Sequence, residues 1–486
     1  MHRRLNLLYD RCILSFCRVT RGDMQHISFA EVSKSIFRAY DIRGIVGESI
    51  TPELIYTLGK AIGSAAQEQG EQTIITARDG RLSGPILIEA LQQGLRESGC
   101  DVIDIGQVPS PVLYFATRYL NYRSGVMLTA SHNPSNYNGL KIVIAGKSLS
   151  EGTIDELYLR VQAGGFKSGK GNYQQISITD AYLNRITQDI SLARPLRVVL
   201  DCGNGVGGVV APELLRRLGC EVIELFCDVD GHFPNHHPDP SVPENLNDLI
   251  ASVKQHKADI GLALDGDGDR LGVVTNRGEI IWPDRQMMLY AIDVLSRNPG
   301  ALIIYDIKST GHLAKLIAEN GGQSLMWKTG HSIMKAKLEE TGALLAGEMS
   351  GHIFFKERWY GFDDGLYTAA RLLEIVAKSK KDVSELFVEL PNGINTPELK
   401  LAIIEDKKFA FIQAFQENIG FPDAKLSKID GVRADFIDGW GLVRASNTGP
   451  YLTLRFEADN STALKRIQTQ FRNALLAMDP HLKLPF

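Results

Sequence analysis

The run RVVLDCGNGVGG, residues 197–208, decides the fold of this chain. A β-rich segment enters a glycine-bearing turn, a helical segment then extends to Gly219, and a second β-rich run, CEVIELF, follows. A strand, a helix and a second strand in this order predict two parallel strands joined by a right-handed crossover. The segment therefore predicts one α/β unit.

The same pattern occurs twice more. TIITARDGRLSG (73–84) leads through a helix to the run CDVIDIG, and LIIYDIKSTG (302–311) leads through a short helix to QSLMWKTG. Self-similar segments along a chain indicate repeated structural units. After about residue 391 the pattern changes to LKLAIIED, a helix, a loop and YLTLRFEA, which indicates a separate α+β domain.

We therefore predict three related α/β domains with mixed sheets and a C-terminal α+β domain, arranged around a central cleft. A length of 486 residues is too great for one hydrophobic core. Clefts between domains are favoured ligand sites. The predicted segments are a poorly ordered extension at 1–30, α/β domains at 31–177, 178–279 and 280–390, and the α+β domain at 391–486.

Composition and charge exclude several classes of protein. Hydrophobic residues make up 44% and charged residues 23%, which argues against disorder. A formal net charge of −4 gives no general attraction to nucleic acid or anionic membrane. The six cysteines contain no CxxC pair and no disulfide framework, as expected in a reducing compartment. We expect a cytoplasmic monomer or small homo-oligomer with neither a nucleic-acid nor a membrane partner.

Residues 1–23 contain five arginines and only two aspartates. Their apolar stretch is broken by Asp10 and Arg11, so it cannot span a bilayer, and it lacks the uncharged core of a secretory signal. A transit peptide is one interpretation. The other is a poorly ordered extension, or a start of translation counted upstream of Met24.

The motif TASHNP, residues 129–134, places a serine just after the predicted strand GVMLTA. Pro134 restricts Asn133 to an extended conformation and prevents a helix there. The Ser131 hydroxyl can therefore be presented as a phosphoryl acceptor, although a capping or turn serine is the alternative. A serine hydrolase is excluded locally because the GxSxG motif is absent.

The motif LDGDGDR, residues 264–270, alternates carboxylates with glycines. Side chains at i, i+2 and i+4 of an extended segment point to one side, so Asp265, Asp267 and Asp269 are predicted to converge. Three converging carboxylates repel unless a cation is bound, and oxygen ligands favour a hard ion such as Mg²⁺. An EF-hand needs glycine and glutamate where Arg270 and Asn276 stand, and a solvated acidic turn is the other alternative.

Two later loops combine donors and acceptors that suit a phosphorylated sugar. GEMSGH (347–352) offers an acceptor, a hydroxyl and an imidazole for sugar hydroxyls from Glu348, Ser350 and His352. RASNTGP (444–450) has the composition of an anion cradle. Its donors are Arg444, Ser446, Asn447 and Thr448. Ordinary polar surface loops are the alternative for both.

A glycine-rich turn favours a different class of enzyme. Gly203, Gly205 and Gly208 form a G-x-G-x-x-G pattern between a strand and a helix, and Glu224 lies near the position of a ribose-binding acid. An NAD-dependent oxidoreductase is therefore an alternative. The turns of the other two repeats do not keep this pattern, which favours a feature of the repeat. A sugar-phosphate-binding protein without catalysis is a third alternative.

TASHNP, DGDGDR, GEMSGH and RASNT, in this order and at these separations, resemble the α-D-phosphohexomutase family. The likeness extends over about residues 36–475, and FRAYDIRG (37–44) and RWYGFDDG (358–365) look like further family motifs. GEMSGH is similar to the loop of the bacterial phosphomannomutase/phosphoglucomutase branch. The phosphoglucosamine branch tends instead toward GEQSGH, so a phosphoglucosamine mutase is the alternative within the family.

The resemblance implies a mutase that interconverts hexose 6-phosphate and hexose 1-phosphate of mannose and glucose, through a phosphoserine and a 1,6-bisphosphate. Glucose or mannose 1,6-bisphosphate would be intermediate and activator. The implied Mg²⁺ ligands are Ser131, Asp265, Asp267 and Asp269. The implied catalytic residues are Ser131, Arg43, Lys141, Arg270 and His331. The implied substrate-binding residues are Tyr40, Lys308, Glu348, Ser350, His352, Arg444, Ser446, Asn447 and Thr448.

Overall fold

The computed structural model describes residues 32–150, 152–447 and 449–486. The prediction of a poorly ordered extension at 1–30 lies outside the described residues. Those that are described form four β-sheets, one after another along the chain. Three of these sheets contain both parallel and antiparallel strand pairs, and the fourth is antiparallel. The predicted class of three related α/β domains and a C-terminal α+β domain is confirmed.

The first domain carries a mixed sheet between helices. Its strands are β1 (Ile42–Ile45), β2 (Thr73–Arg78), β3 (Asp101–Gln107), β4 (Gly125–Leu128), β5 (Tyr137–Ile144), β6 (Lys147–Ser148) and β7 (Tyr173–Gln175). Its helices are α1 (Pro52–Glu68), α2 (Gly84–Ser98), α3 (Ser110–Tyr119) and α4 (Gly152–Ala163), with a 3-10 turn at Lys34–Ile36. The strand order is β1-β5-β4-β2-β3-β7, and β6 pairs with β5. Helices α1 and α2 approach closely, because a Cβ on Gly94 would lie 2.1 Å from the Tyr56 carbonyl oxygen.

The second domain continues the repeat. Its strands are β8 (Arg197–Asp201), β9 (Glu221–Leu225), β10 (Ile260–Leu264), β11 (Leu271–Thr275) and β12 (Ile280–Ile281). Its helices are α5 (Thr179–Asp189), α6 (Ala211–Arg217) and α7 (Asn247–His256), with 3-10 turns at Val206–Val209 and Pro243–Leu246. The sheet order is β12-β11-β10-β8-β9. Strands β10 and β11 are antiparallel neighbours, so the DGDGDR loop is the connection of a hairpin.

The third domain contains the smallest of the four described sheets, and its strand order is β14-β13-β15-β16. Its strands are β13 (Leu302–Asp306), β14 (Gln323–Trp327), β15 (Leu345–Gly347) and β16 (Ile353–Phe355). Its helices are α8 (Pro283–Arg297), α9 (His312–Glu319), α10 (His331–Thr341), α11 (Gly365–Lys378) and α12 (Val383–Val388). The GEMSGH loop connects β15 to β16.

The fourth domain packs two helices on an antiparallel sheet. Its strands are β17 (Ile394–Asn395), β18 (Leu399–Ala402), β19 (Lys425–Ser427), β20 (Val432–Phe436), β21 (Gly439–Ala445) and β22 (Tyr451–Ala458). Its helices are α13 (Lys408–Asn418) and α14 (Ser461–Met478), with a 3-10 turn at Glu405–Lys407. The order is β17-β22-β21-β20-β19, and β18 also pairs with β22. The RASNTGP loop connects β21 to β22.

One hydrophobic core is continuous through the first three domains. Helix α3 of the first domain packs Phe115 against Tyr182 of the second and Trp359 of the third. Burial of aromatic side chains of this size dominates the stability of such interfaces. The first three domains are therefore held in a fixed arrangement.

The fourth domain has a core of its own, which includes Phe456 and Phe471. It meets the third domain through hydrogen bonds around the segment that follows β13. Arg433 donates to the carbonyl oxygens of Ile307 and Ser309, both at 2.7 Å. The same interface buries Ile307 of the third domain against Trp440 and Leu442 of the fourth, so polar and apolar contacts together hold the fourth domain beside the central cleft.

Candidate active site

The cleft has a volume of about 520 Å³ and is lined by side chains of all four domains. Most of the predicted substrate-binding and catalytic residues line it. These are Tyr40, Arg43, Ser131, Lys141, Arg270, Lys308, His331, Glu348, Ser350, His352, Arg444, Ser446 and Asn447. Thr448 lies outside the described residues. The sequence prediction of one cleft between domains thus corresponds to a single cavity in the described structure.

Ser131 stands in a strained turn at the carboxyl end of β4. Its φ is +49°, in the left-handed region that few residues other than glycine adopt. The hydroxyl donates to Asp265 Oδ2 at 2.6 Å and lies 3.1 Å from His132 Nδ1. Backbone strain of this kind costs roughly 1–3 kcal/mol and clusters at functional sites. The turn aims the hydroxyl at the aspartate loop.

The three aspartates of the hairpin loop converge as their spacing predicts. Each of Asp265, Asp267 and Asp269 is fully buried, and ligand oxygens from all three lie within 4.8 Å of one another. Burial and repulsion by the other two carboxylates hold the pKa of Asp265 well above its usual range. Asp267 Oδ1 has no hydrogen-bond partner among the described residues, whereas Asp269 Oδ1 lies 3.4 Å from His352 Nε2. Three converging buried carboxylates, one of them with an unpartnered oxygen, are suited to a hard cation, so the residues present fit a metal ion.

Lys141 projects from β5 into the same cluster. Its ammonium group donates to Asp267 Oδ2 at 2.6 Å and also pairs with Asp269. Burial lowers the pKa of Lys141, but Asp267 and Asp269 outweigh it and raise the pKa well above the usual value. Lys141 is therefore a fixed positive charge beside Ser131.

Two arginines add charge at the opening of this pocket. Arg43 donates to Asn133 Oδ1 at 2.5 Å and pairs with Asp41. Arg270 Nε lies 3.8 Å from Asp265 Oδ2, and this carboxylate together with its acidic neighbours keeps the guanidinium pKa high despite burial. A transferring phosphoryl group at Ser131 would be surrounded by cationic side chains.

The GEMSGH loop presents its three polar side chains together. His352 Nδ1 lies 2.8 Å from Ser350 Oγ and 3.1 Å from Glu348 Oε2. Burial and Arg270 lower the pKa of His352, but Asp269 and Glu348 outweigh them and raise it to about 9. His352 is thus protonated at neutral pH.

His331 lies at the start of α10, and its ring centroid is 5.5 Å from that of His352. The pKa of His331 is shifted in the opposite direction from that of His352. Burial and the neighbouring Lys335 lower the pKa of His331 well below its usual value, so the imidazole is neutral. Its Nε2 has no hydrogen-bond partner among the described residues. Tyr40 packs edge-on against the ring at 4.8 Å, and burial followed by Asp41 raises the pKa of Tyr40 to about 12.

Arg444 lies at the end of β21 on the opposite wall. Its Nε donates to Asp430 Oδ2 at 3.0 Å, while Nη2 is buried without a partner among the described residues. Burial lowers the pKa of Arg444, but Asp430 outweighs it and keeps the guanidinium charged. A charged guanidinium in a cleft, with one nitrogen bonded to a carboxylate and another without a partner among the described residues, fits a phosphate group. Ser446 and Asn447 line the same wall.

Several residues that sequence reasoning missed also belong to this region. Arg81 donates to the Ser131 carbonyl oxygen at 2.7 Å, and Asp79 accepts from the Thr129 hydroxyl at 2.7 Å. Glu398 enters the cleft from the segment between β17 and β18 and pairs with Lys308 at 2.6 Å. Asp363 lies 3.5 Å from His331 Nδ1. Asp79 and Arg81 had a sequence signal, since RDGR ends the first repeat's strand in the way that the other strands end in active loops.

The glycine-rich turn packs against the DGDGDR loop. The Val206 amide donates to the Gly266 carbonyl at 3.1 Å, and the Asn204 amide donates to the Phe226 carbonyl at 2.7 Å. A Cβ on Gly208 would lie 1.8 Å from the Cys227 carbonyl oxygen. These amides are used within the domain, and the glycines allow close packing, so the turn offers no support for a dinucleotide site.

Comparison with known proteins gives matches over most of the chain. Family models of phosphoglucomutase/phosphomannomutase match in sequence order: alpha/beta/alpha domain I at residues 34–168, domain II at 180–278, domain III at 282–393 and the C-terminal domain at 398–474. The chain belongs to the phosphoglucomutase/phosphomannomutase family.

Individual relatives of this family cover nearly the whole chain. A phosphomannomutase/phosphoglucomutase of Pseudomonas putida is 57% identical over 463 residues, which is 95% of this chain and 100% of the relative. A phosphoglucomutase of Neisseria meningitidis is 52% identical over 460 residues, with coverage of 94% and 100%. A crystal structure of a phosphoglucomutase/phosphomannomutase family protein from Burkholderia thailandensis has a TM-score of 0.90 and 53% identity, and covers 94% and 100% of the two chains. Within the described ranges, the helices of this family member lack the combined length and hydrophobicity needed to cross a bilayer.

Proposed function

We propose that this enzyme interconverts hexose 6-phosphate and hexose 1-phosphate, with mannose and glucose as the sugars, through a phosphorylated Ser131. One observation carries the proposal. The Ser131 hydroxyl is held at a strained φ, 2.6 Å from Asp265 of a three-carboxylate cluster, while Arg444 faces the same cleft from the opposite wall. This arrangement supplies a phosphoryl acceptor and a separate site for a second phosphate.

The proposed metal is Mg²⁺, which would be held by Ser131, Asp265, Asp267 and Asp269. When bound, the ion supplies Lewis-acid stabilisation of the phosphoryl oxygens. The unpartnered Oδ1 of Asp267 and the convergence of the three carboxylates support this ligand set. The carboxylates of the cluster hold Lys141 beside the serine, so its charge is fixed before substrate arrives.

Transfer then depends on positive charge around the moving group. Arg43, Lys141 and Arg270 neutralise negative charge on the transferring phosphoryl oxygens. The substrate hydroxyl must lose a proton as it attacks. His331 would accept that proton, because burial keeps its ring neutral.

The intermediate is a hexose 1,6-bisphosphate that turns end for end in the cleft. Glu348 and Ser350 would recognise the sugar's O3 and O4, which exchange places when the sugar turns. Arg444, Ser446, Asn447 and Thr448 would hold the phosphate that is not transferred, and Tyr40 and Lys308 would line the path between. Because no residue in this scheme recognises C2, both mannose and glucose fit. Glucose or mannose 1,6-bisphosphate would restore the Ser131 phosphate when the intermediate is lost.

A phosphoglucosamine mutase is the alternative, and the GEMSGH sequence favours the mannose and glucose sugars over it. Rates on mannose, glucose and glucosamine phosphates measured side by side decide between the sugars. A higher kcat/KM on glucosamine phosphate would refute the proposed preference.

The free thiols of four cysteines support a reducing, cytoplasmic location; these are Cys100, Cys202, Cys220 and Cys227.

Intact-protein mass tests the phosphoserine. Wild-type enzyme incubated with glucose 1,6-bisphosphate should gain about 80 Da, and Ser131→Ala should not. Ser131→Ala should also lower kcat by at least ~10³. Ser252→Ala is the matched control, because Ser252 is a buried serine on α7 that does not line the cleft. Retention of more than about a tenth of the wild-type rate by Ser131→Ala would end the proposal.

A further inference from the structure

Arg81 is a buried arginine directly beneath the serine turn, and only 1% of its surface is exposed. Each of the five N–H groups of its guanidinium has an acceptor. Nε donates to Asp79 Oδ2 at 3.1 Å. Nη1 donates to the carbonyl oxygens of Pro134 at 2.6 Å and Tyr137 at 3.0 Å, and Nη2 donates to those of Ser131 and Asn133, both at 2.7 Å. One side chain thus binds four carbonyls of the loop that carries the reactive serine.

The amide of Ser131 is fixed by the same group of residues. It donates to Thr129 Oγ1 at 2.9 Å, and the Thr129 hydroxyl donates to Asp79 Oδ2 at 2.7 Å. Asp79 is in turn paired with Arg81. Both peptide groups of the strained residue therefore end on the Asp79–Arg81 pair, one through Thr129 and one directly.

The contacts of Asp79 and Arg81 with the serine turn, here called the clamp, also extend to the second domain, which carries the DGDGDR loop. The Phe233 ring lies 5.3 Å from the guanidinium carbon, and a Cβ on Gly231 would lie 2.7 Å from the Leu82 amide nitrogen. The serine turn and the second domain are therefore packed without space at this point. A shift of Arg81 changes the position of Ser131 relative to the aspartates.

We infer that Arg81 is a positioning residue of the phosphoryl-transfer step. Arg81 orients Ser131 in both of its forms, as hydroxyl acceptor and as phosphoryl donor. The inference rests on the proposed function, in which Ser131 loses about 1.5–2 negative charges in the first half-reaction and regains them in the second. A turn at positive φ that changes charge in this way needs an external constraint, since a misplacement of about 1 Å costs on the order of 10²-fold in rate.

Lysine cannot replace this clamp. It keeps the positive charge but has three donors, against the five acceptors that surround the guanidinium. Arg81→Lys should therefore keep the electrostatics of the site and lose its geometry. We expect kcat to fall about 10²-fold while KM for the hexose phosphate changes less than about threefold, because Arg81 itself does not line the cleft.

The test separates phosphorylation of Ser131 from its transfer. Each enzyme is loaded with glucose 1,6-bisphosphate, its mass is measured, and loss of the serine phosphate to added glucose 1-phosphate is followed by rapid quench. The control is Arg371→Lys, since Arg371 is equally buried and ion-paired with Asp293 and Glu357 away from the cleft. It should lower the thermal midpoint and leave the transfer rate unchanged.

The outcomes are distinct. Absence of a serine phosphate in wild type would refute the proposed function itself. A normal phosphate in wild type, together with a wild-type transfer rate in Arg81→Lys, would overturn the assignment of Arg81. A rise in KM with unchanged kcat would overturn it as well. A roughly 10²-fold slower transfer at unchanged KM supports it.

Should Arg81→Lys not fold, Thr129 supplies a milder test of the same clamp. Thr129→Val keeps the shape and removes the hydroxyl that holds the Ser131 amide, whereas Thr129→Ser keeps the hydroxyl. Slow transfer in the valine variant with recovery in the serine variant supports the inference. Equal transfer rates in both variants and wild type would refute it.

Discussion

At Gly266 the DGDGDR loop contacts the serine turn. Replacement of Gly266 by alanine therefore tests the distance between Ser131 and the aspartates. A Cβ on Gly266 would lie 2.3 Å from the Ser131 carbonyl oxygen and 3.1 Å from its carbonyl carbon. The φ of Gly266 lies outside the left-handed region, so alanine can adopt this backbone. The whole effect of Gly266→Ala must therefore come from contact with backbone atoms of Ser131.

The required displacement follows from the distances. Ordinary van der Waals contact begins at 3.4 Å, so the two loops must separate by 3.4 − 2.3, or about 1.1 Å. The Ser131 Oγ to Asp265 Oδ2 distance, now 2.6 Å, would then exceed that of a hydrogen bond. A misplacement of about 1 Å costs on the order of 10²-fold in rate, so kcat should fall by about that factor. Overpacking should also lower stability by roughly 1–3 kcal/mol.

The assay is steady-state turnover of glucose 1-phosphate over a Mg²⁺ titration, with the thermal midpoint measured in parallel. Gly420→Ala is the matched control, since no described atom lies within 4 Å of a Cβ built there. Gly266→Ala should need more Mg²⁺ and remain slow at saturation, while the control behaves as wild type. A kcat within about threefold of wild type at saturating Mg²⁺ would refute the reasoning, because the loops would then tolerate a 1 Å separation.

Three further predictions concern the metal, the phosphate wall and pH. Asp267→Asn should raise the Mg²⁺ needed for half-maximal activity while the protein stays folded in chelator, because one charge less relieves repulsion; an unchanged Mg²⁺ titration would contradict this. Arg444→Ala should raise KM for the 1-phosphate and the 6-phosphate alike and weaken retention of the bisphosphate about 10- to 150-fold, since a charge-assisted pair contributes roughly 1.5–3 kcal/mol. Stimulation by added glucose 1,6-bisphosphate should therefore exceed that of wild type, and equal stimulation would place Arg444 outside the phosphate site. For His352, the folded pKa of about 9 lies above the unfolded value, so in metal-free enzyme its stabilisation is complete below about pH 6.5 and is lost as pH rises through 9. The stability difference between wild type and His352→Asn should shrink by up to about 3 kcal/mol over that range, and parallel pH curves from thermal unfolding would contradict it.

The parts of the site that depend on neighbouring residues in the chain could be predicted from the sequence. The alternation of Asp265, Asp267 and Asp269 predicts convergence, and their ligand oxygens lie within 4.8 Å of one another. The same alternation predicts that His352 lies beside Glu348 and Ser350, and it contacts both. Backbone geometry over a few residues fixes these relations, so no knowledge of the tertiary fold is needed.

Contacts between distant segments could not be predicted in this way. Arg81 reaches carbonyls 50 to 56 residues further along the chain, and Glu398 pairs with Lys308 across 90 residues. Glu398 has no spacing pattern that distinguishes it from an ordinary linker residue, and the RDGR turn places Arg81 in a loop after a strand without indicating what its side chain contacts. Glu398 is also an acidic side chain in a cleft that is proposed to bind phosphate, where basic side chains are the simple expectation. Such roles become visible only once the domains are assembled.

The order in which the walls of the cleft occur along the chain has a consequence for protein synthesis. Domains fold as they emerge, N-terminal first, at about 5–20 residues per second. The 313 residues between Ser131 and Arg444 (444 − 131) therefore take roughly 16–60 s to be made. During that time the serine domain has left the ribosome without its phosphate wall.

On the proposed mechanism, Ser131 cannot acquire its phosphate before translation ends. Each new molecule then starts without a phosphate on Ser131 and requires a hexose 1,6-bisphosphate to become active. A working molecule that loses its intermediate supplies such a bisphosphate, so on this mechanism escape of the intermediate also activates newly made enzyme.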